Sequence, residues 1–198
     1  MKIYLLRHED RTMDLTFFSP LTKNGLDNSV NLIKFLEKEK INSIYSSPYI
    51  RTLQTVYPYA KKYDIKPKLE YSLTELYQDE NIPKKSYQIT LPEYISESFN
   101  YDNEYNSLIM PDNINFPEDL KDFNKRIKNF LKNIIKDNYL TDKNILLVTH
   151  QGVIDLILYT IMRKNGDVSS KLGDKVYPKG GLTKIFEDFD WVIDKINW

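Results

Sequence analysis

Two stretches of the chain decide its fold: residues 2–8 read KIYLLRH, and residues 144–150 read NILLVTH. Each stretch is an apolar run that ends at a histidine, a pattern typical of a strand buried on both faces of a parallel sheet. We therefore predict buried strands over residues 2–6 and 144–149. His8 and His150 are the only histidines in the chain, and each directly follows one of these predicted strands.

Helical and extended patterns alternate along the rest of the chain. Apolar residues at helical spacing predict helices over residues 22–40, 49–63, 118–138 and about 153–163. Short apolar runs predict further strands over residues 41–45, 66–69, 183–188 and 191–196. Strands that alternate with helices predict an α/β fold, here a three-layer sandwich with a mostly parallel central sheet and helices on both faces.

The first predicted helix rests on apolar residues at helical spacing, among them Leu26, Val30 and Leu36. Thr22 or Asn24 is expected to cap its start, because the side chains of both accept hydrogen bonds from helix N–H groups. Pro117 stands at the start of the helix over residues 118–138, a position where the missing proline N–H costs little.

Residues 78–117 break this alternation, because they are polar and contain four prolines. We interpret them as a small, mainly helical or irregular insertion that covers the candidate site of a single domain spanning residues 1–198. Five tyrosines lie in or beside this segment: Tyr77, Tyr87, Tyr94, Tyr101 and Tyr105. They either stack on a ligand ring or pack against the sheet, and packing is the more common use of such residues.

Composition excludes several classes of protein. Lys plus Arg and Asp plus Glu each total 28, so the formal net charge is +0, which disfavours nucleic-acid binding but allows a local pocket for a small anion. The chain has no cysteine, which excludes disulfides and thiolate nucleophiles. The opening MKIYLL is too short for a signal peptide, and no apolar run approaches the roughly 18 residues of a membrane span, so we expect a cytoplasmic protein without membrane contacts.

Positively charged side chains accompany the two histidines. Arg7 precedes His8, and Arg51 follows the Ser46-Ser47-Pro48 turn after the second predicted strand. Ligands of open α/β sheets bind outside the carboxyl ends of the strands, so these loops are expected to meet. Guanidinium groups match phosphate oxygens bidentately, and the set therefore predicts a pocket for a phosphate dianion. Taken singly, each histidine is more often a surface or capping residue, and Arg51 a surface helix residue.

Several short motifs follow one another along the chain in the order that one protein family has them. They are Leu6-Arg7-His8, Pro20-Leu21-Thr22 with Gly25, Ser46-Ser47-Pro48 with Arg51 and Gln54-Thr55, Leu73 with Glu75, and Val148-Thr149-His150 with Gly152. Together they resemble the histidine phosphatase superfamily, also called phosphoglycerate mutase-like, over nearly the whole chain except the insertion. The resemblance implies that His8 is the nucleophile that forms a phosphohistidine, and that Glu75 is the general acid and base. It also implies phosphate ligands, namely Arg7, Arg51 and His150.

The activity implied by this resemblance is hydrolysis of a small phosphate monoester, with release of inorganic phosphate and without a cofactor or a metal ion. The sequence departs from the family pattern in two places. Glu9 stands where the family has glycine, which brings a carboxylate next to the predicted pocket and removes the easy positive-φ conformations of glycine. After Glu75 the usual glycine and tryptophan are missing, and only the resemblance favours Glu75 over three competing carboxylates: Glu70, Asp79 and Glu80.

Three alternative functions stay open at this point. A phosphoglycerate mutase-type phosphotransferase is disfavoured, because Glu-Asp-Arg-Thr follows His8 and no arginine or histidine neighbours Glu75. A noncatalytic phosphate-binding module is disfavoured because all five expected groups are present. A metal enzyme is a weak third alternative, because two distant histidines and scattered acids have no recognised ligand spacing.

Overall fold

One mixed sheet forms the centre of the fold. In the computed structural model of the protein, residues 1–14, 18–76, 97–115, 117–164, 178–188 and 190–197 are described. Within them the strands are β1 (Lys2–Arg7), β2 (Ser43–Ser46), β3 (Lys68–Leu69), β4 (Asn144–Thr149), β5 (Leu182–Asp188) and β6 (Asp190–Asn197). They are ordered β3-β2-β4-β1-β5-β6. Strands β1 to β4 are parallel to one another, β5 is antiparallel to β1, and β6 is antiparallel to β5.

Helices cover both faces of this sheet. They are α1 (Lys23–Asn31), α2 (Ile33–Glu39), α3 (Ile50–Lys62), α4 (Leu120–Asn138) and α5 (Gln151–Lys164). Side chains alternate along β1, so Ile3 and Leu5 pack in one core with α4 and α5, whereas Tyr4 and Leu6 pack in a second core with α2 and α3. The predicted α/β sandwich with a mostly parallel sheet is confirmed. None of the helices in the described ranges is both long enough and apolar enough to cross a membrane.

The first predicted helix is divided in two at Leu32. Thr22 is its cap, because the Thr22 side chain accepts a hydrogen bond from the backbone N–H of Gly25. Leu32 keeps right-handed helical angles, so the division interrupts the hydrogen-bond ladder and not the handedness of the backbone. The helix over residues 118–138 begins at Leu120, and Asp119 caps it by accepting from the N–H of Asp122 at 2.7 Å.

The buried face of α1 is not the apolar face that indicated this helix in the sequence. Leu26 and Val30 are 43% and 56% exposed, whereas Gly25 and Ser29 are buried. The reason is a close approach: a Cβ atom on Gly25 would lie 2.1 Å from the carbonyl oxygen of Asp10. Only a face of small residues lets α1 come this near the loop that follows β1, so the larger apolar residues turn outward.

The described residues 97–115 are attached to the sheet edge by a buried carboxylate. Glu70 accepts hydrogen bonds from Tyr105 Oη at 2.6 Å, Ser107 Oγ at 2.8 Å and Leu108 N at 3.1 Å. The ring of Tyr105 also lies 5.5 Å from that of Tyr45, so this tyrosine packs against the sheet. The predictions for Tyr77, Tyr87 and Tyr94 fall outside the described residues.

The unexpected orientation of α1 can be tested with two neighbouring substitutions. Ser29→Leu forces a larger side chain into the contact beneath α1 and should lower the free energy of unfolding by about 1–3 kcal/mol. Val30→Lys, the matched control on the exposed face, should change it by less than about 0.5 kcal/mol. Urea unfolding of both variants measures the difference, and a larger loss for Val30→Lys would mean that the helix is turned the other way.

Candidate active site

The parallel strands β1, β2 and β4 end at the same level, so the candidate residues that follow them lie at one edge of the sheet. Arg7 on β1 pairs with Thr149 on β4, and Ser46 on β2 pairs with Val148 on β4. The next residue of β1 continues this pairing, since the His8 N–H donates to the Thr149 carbonyl at 2.9 Å. The three loops therefore start at the same level, and the rings of His8 and His150 meet with their centroids 5.3 Å apart.

His8 is held as a neutral imidazole with a defined proton position. Its ring is 6% exposed, and its Nδ1 lies 2.7 Å from the carbonyl oxygen of Glu9. A carbonyl only accepts, so Nδ1 must carry the proton and the lone pair must be on Nε2. Burial, followed by the positive charge of Arg51, lowers the pKa of His8 from 6.5 to about 3. His8 therefore offers an unprotonated ring nitrogen at neutral pH.

His150 is also held neutral, in a fully buried position. Its Nε2 lies 2.9 Å from Ser47 Oγ, and its ring lies 4.8 Å from the ring of Tyr49. Burial and then the charge of Arg51 lower the pKa of His150 well below its ordinary value. Its Nδ1 is buried and has no hydrogen-bond partner among the described residues. Buried polar atoms of this kind are rare, and binding sites are one place where they are tolerated.

Arginine side chains make this edge of the sheet positive. Arg51 lies in the first turn of α3, is 2% exposed, and stacks its guanidinium 4.4 Å from the centre of the Tyr49 ring. Arg7 is half-buried, and burial lowers its pKa. Both arginines lower the pKa of His8, and so does Arg11. The structure thus brings together Arg7, His8, Arg51 and His150, the four predicted phosphate-site residues.

Arg11 is a residue that the sequence reasoning missed. It lies three positions after His8 in the same loop, and its charge also lowers the pKa values of Arg7 and His150. The composition could have indicated Arg11, because arginine is rare in this chain. Only five of the 28 basic residues are arginine: Arg7, Arg11, Arg51, Arg126 and Arg163. The first four of these act on the pKa values of groups at this site.

Glu75 reaches the same edge through the start of α5. Its Oε2 accepts from the Gly152 N–H at 3.3 Å, and its Oε1 accepts from the Leu76 N–H at 3.0 Å. Burial raises the pKa of Glu75, while these two N–H groups and Arg51 oppose that rise. A Cβ atom on Gly152 would lie 2.6 Å from Glu75 Oε1, so the carboxyl can occupy this place only beside a glycine.

The competing carboxylates stand differently. Glu70 is buried, and both of its carboxylate oxygens accept hydrogen bonds from Tyr105, Ser107 and the main chain, so Glu75 is the better candidate for the acid. Asp79 and Glu80 lie outside the described residues.

The Glu9 carboxylate makes its described contacts with α1 and with Gly180. The Glu9 carboxylate accepts from Asn28 Nδ2 at 3.4 Å and lies against Gly180, where a Cβ atom would come within 1.9 Å of its Oε1. Burial raises the pKa of Glu9. Among charged side chains, Asp10 raises this pKa further and Lys179 lowers it. Glu9 is also not among the described residues with positive φ, so this loop does not need the conformational freedom of glycine.

The described residues contain no group of three or more histidine, aspartate or glutamate side chains that could hold a metal ion. The site combines two neutral histidines, the guanidinium groups of Arg7 and Arg51, and one carboxyl whose pKa is raised, and the positive charge of Arg11 also lowers the pKa of His8. Such a set can bind a tetrahedral oxyanion, present a ring nitrogen to it, and supply or remove one proton.

A protein-family model and several solved structures are similar to this chain. The family model described as histidine phosphatase superfamily (branch 1) matches residues 3–184. No curated protein sequence matches the chain. Among solved structures, the chain is similar to the alpha-ribazole phosphatase from Shigella flexneri, with 18% identity, 100% of this chain and 96% of that chain covered, and a TM-score of 0.71.

Two further solved structures show the same fold. The ecdysone phosphate phosphatase from Bombix mori, in complex with tungstate, has 16% identity, coverage of 98% of this chain and 91% of that chain, and a TM-score of 0.70. The phosphoglycerate mutase from Bacillus anthracis str. Sterne has 20% identity, coverage of 100% and 92%, and a TM-score of 0.66. At these identities the likeness establishes the fold and not the activity.

The protonation of the two histidines can be tested directly, because the chain contains no others. In NMR titrations of the folded protein, neither ring should titrate between about pH 8 and pH 5, since both pKa values are lowered. The unfolded state then binds more protons than the folded state below about pH 6.5, so stability falls as the pH falls. For His8 this loss is about 1.4 kcal/mol per pH unit until the pH nears its folded pKa.

The matched measurement is the urea unfolding of His8→Gln over the same pH range. Other groups titrate equally in both proteins, so the parent should lose stability on acidification more steeply than the variant. Equal slopes, or a histidine resonance that titrates near pH 6.5, would contradict the assignment of a neutral His8.

Proposed function

We propose that this chain, which belongs to the histidine phosphatase superfamily, hydrolyses a small phosphate monoester through a phosphohistidine on His8. One observation carries the proposal: an imidazole protonated on Nδ1, and therefore nucleophilic at Nε2, lies 5.3 Å from a second neutral histidine, and the positive charges of three arginines lower its pKa. The raised pKa of Glu75 supports the same chemistry, because a general acid must hold its proton near neutral pH.

The first step is binding of the phosphate group. Arg7 and Arg51 would bind its oxygens through their guanidinium N–H groups, and His150 would donate from the ring nitrogen that has no partner among the described residues. Arg11 adds a third positive charge to the same place. The structural neighbour from Bombix mori is a phosphatase in complex with tungstate, a tetrahedral oxyanion like phosphate, which supports binding of an oxyanion by this fold.

The second step transfers the phosphoryl group to His8. Nε2 of His8 forms a bond to phosphorus while the bond from phosphorus to the leaving oxygen breaks, and Glu75 gives its proton to that oxygen. The arginines offset the negative charge on the phosphoryl oxygens in the transition state. The products of this step are an alcohol and a phosphohistidine.

The third step is hydrolysis. Glu75, now ionised, takes a proton from a water molecule, and the resulting oxygen attacks phosphorus as the bond to Nε2 breaks. Inorganic phosphate leaves, and His8 and Glu75 return to their starting protonation states. We propose that no metal ion is required, because the arginines supply the positive charge that Mg²⁺ provides in other phosphoryl-transfer sites.

The first test of the proposal concerns His8. His8→Ala should abolish release of inorganic phosphate from phosphate monoesters, while acid-labile phosphate should be trapped on the parent protein during turnover. Arg51→Ala and His150→Ala should each weaken the binding of vanadate. Lys62→Ala, an exposed position on the same helix as Arg51, is the control and should bind vanadate as the parent does. Full activity of His8→Ala would refute the proposal.

The second test concerns Glu75. Glu75→Gln should slow turnover of alkyl phosphates by roughly 10²–10⁴-fold, the usual contribution of a positioned acid or base. An aryl phosphate, whose leaving group departs without a proton, should still phosphorylate His8. Dephosphorylation still needs a base, so stopped-flow traces should show a burst of phenol followed by slow release.

Gly152→Ala is the matched variant, because it keeps the Glu75 carboxyl but pushes it from the Gly152 N–H. It should reduce turnover with little change in melting temperature, since the end of a side chain can move more easily than backbone. Equal slowing of alkyl and aryl substrates by Glu75→Gln, without a burst, would show that another carboxylate is the acid.

A further inference from the structure

A buried ion pair lies behind the segment that carries Glu75. Arg126 on α4 binds Glu118 in a bidentate manner, with Nε 2.6 Å from Oε1 and Nη2 2.7 Å from Oε2. The two side chains are only 4% and 2% exposed. The guanidinium also lies 4.8 Å from the centre of the Phe123 ring.

The other N–H groups of Arg126 are directed at the main chain of the Glu75 segment. Nη1 donates to the Ser72 carbonyl at 2.7 Å, and Nη2 donates to the Glu75 carbonyl at 3.4 Å. Between these two carbonyls, that of Leu73 accepts from Thr149 Oγ at 2.7 Å. Residues 72–75 are thus held from α4 on one side and from β4 on the other.

Stability alone is a weak explanation for such a pair. The cost of removing two charges from water commonly offsets their attraction, and well-packed apolar residues of similar volume often serve as well. Apolar residues cannot donate to the carbonyls of Ser72 and Glu75, however. The planar guanidinium fork can bind a carboxylate on one edge and still present N–H groups elsewhere, which a lysine ammonium cannot do with the same geometry.

We propose that Arg126, oriented by Glu118, is a positioning residue that holds the main chain of Glu75 so that its carboxyl stays at the start of α5. This inference rests on the proposed function, in which Glu75 is the acid and base. Arg126 acts through Glu75 and does not contact the substrate. A displacement of about 1 Å in a catalytic group can cost about 10²-fold in rate, so the position of this segment matters to turnover.

The decisive variant replaces both members of the pair, Glu118→Leu with Arg126→Met. It removes the hydrogen bonds to the two carbonyls without leaving a buried charge unpaired, so the protein should still fold. We expect kcat for an alkyl phosphate to fall by about 10²-fold. The dissociation constant for vanadate should stay within about twofold of the parent value, because the phosphate ligands are not moved. An aryl phosphate should still give a full burst followed by slow release.

Two more variants separate positioning from folding. Arg126→Lys keeps the positive charge and a partner for Glu118, but cannot bind both carbonyls while paired, so it should show the same selective loss of kcat. Ile134→Ala, two turns further along α4 in the same core, is a destabilised control that should keep the parent kcat when folded.

The outcomes are distinct. If the double variant and Arg126→Lys turn over alkyl phosphates at the parent rate while Glu75→Gln is slow, the positioning role is wrong and the proposed function stands. If they lose kcat only as far as Ile134→Ala does at the same melting temperature, the pair is structural and the inference is likewise overturned. If Glu75→Gln itself turns over at the parent rate, the assignment of Glu75 fails, and the inference fails with it.

Discussion

The parallel pairing of β1 with β4 is the interaction on which the candidate site depends. Arg7 is level with Thr149, and the His8 N–H continues the ladder to the Thr149 carbonyl, so both histidines begin at the same height. The same register sends alternate side chains to the two helical layers. A shift of the β1–β4 register by one residue would turn the side chains of one strand to the opposite face of the sheet and would separate the two histidine rings. The same register is therefore required for packing of the core and for assembly of the site.

Burial gives the site its chemical character. In contact with solvent, both histidines would protonate near pH 6.5, and water would screen the charges of the arginines. The burial of these residues at the carboxyl edge of the sheet keeps solvent away from them. Burial is the largest cause of the lowered pKa values of His8 and His150 and of the raised pKa of Glu75. The same physical cause therefore favours the neutral forms of both histidines and of the Glu75 carboxyl. The arginines add to the first effect and oppose the second.

The loops around the site are held mainly through their main chains. Residues 7 and 8 bond through their carbonyls to the N–H of Gly180, and the carbonyls of Ser72 and Leu73 accept from Arg126 and Thr149. Side chains placed on a fixed backbone need few contacts of their own, so they can remain available to a ligand. Glu9, which stands where the family pattern has glycine, also leaves this loop in place, because its carboxylate lies against Asn28 and Gly180.

The sequence by itself determined the strands, their helical crossovers and the arrival of two histidines and two arginines at one sheet edge, because apolar runs and their sharp polar ends are local patterns. Only the tertiary structure decided which face of α1 is buried, since Gly25 meets a carbonyl from a different loop. It likewise decided that the charge of Arg11 acts on His8 and that Arg126 holds residues 72–75. These facts depend on distances between segments far apart in the chain, and no local pattern of residue types records them.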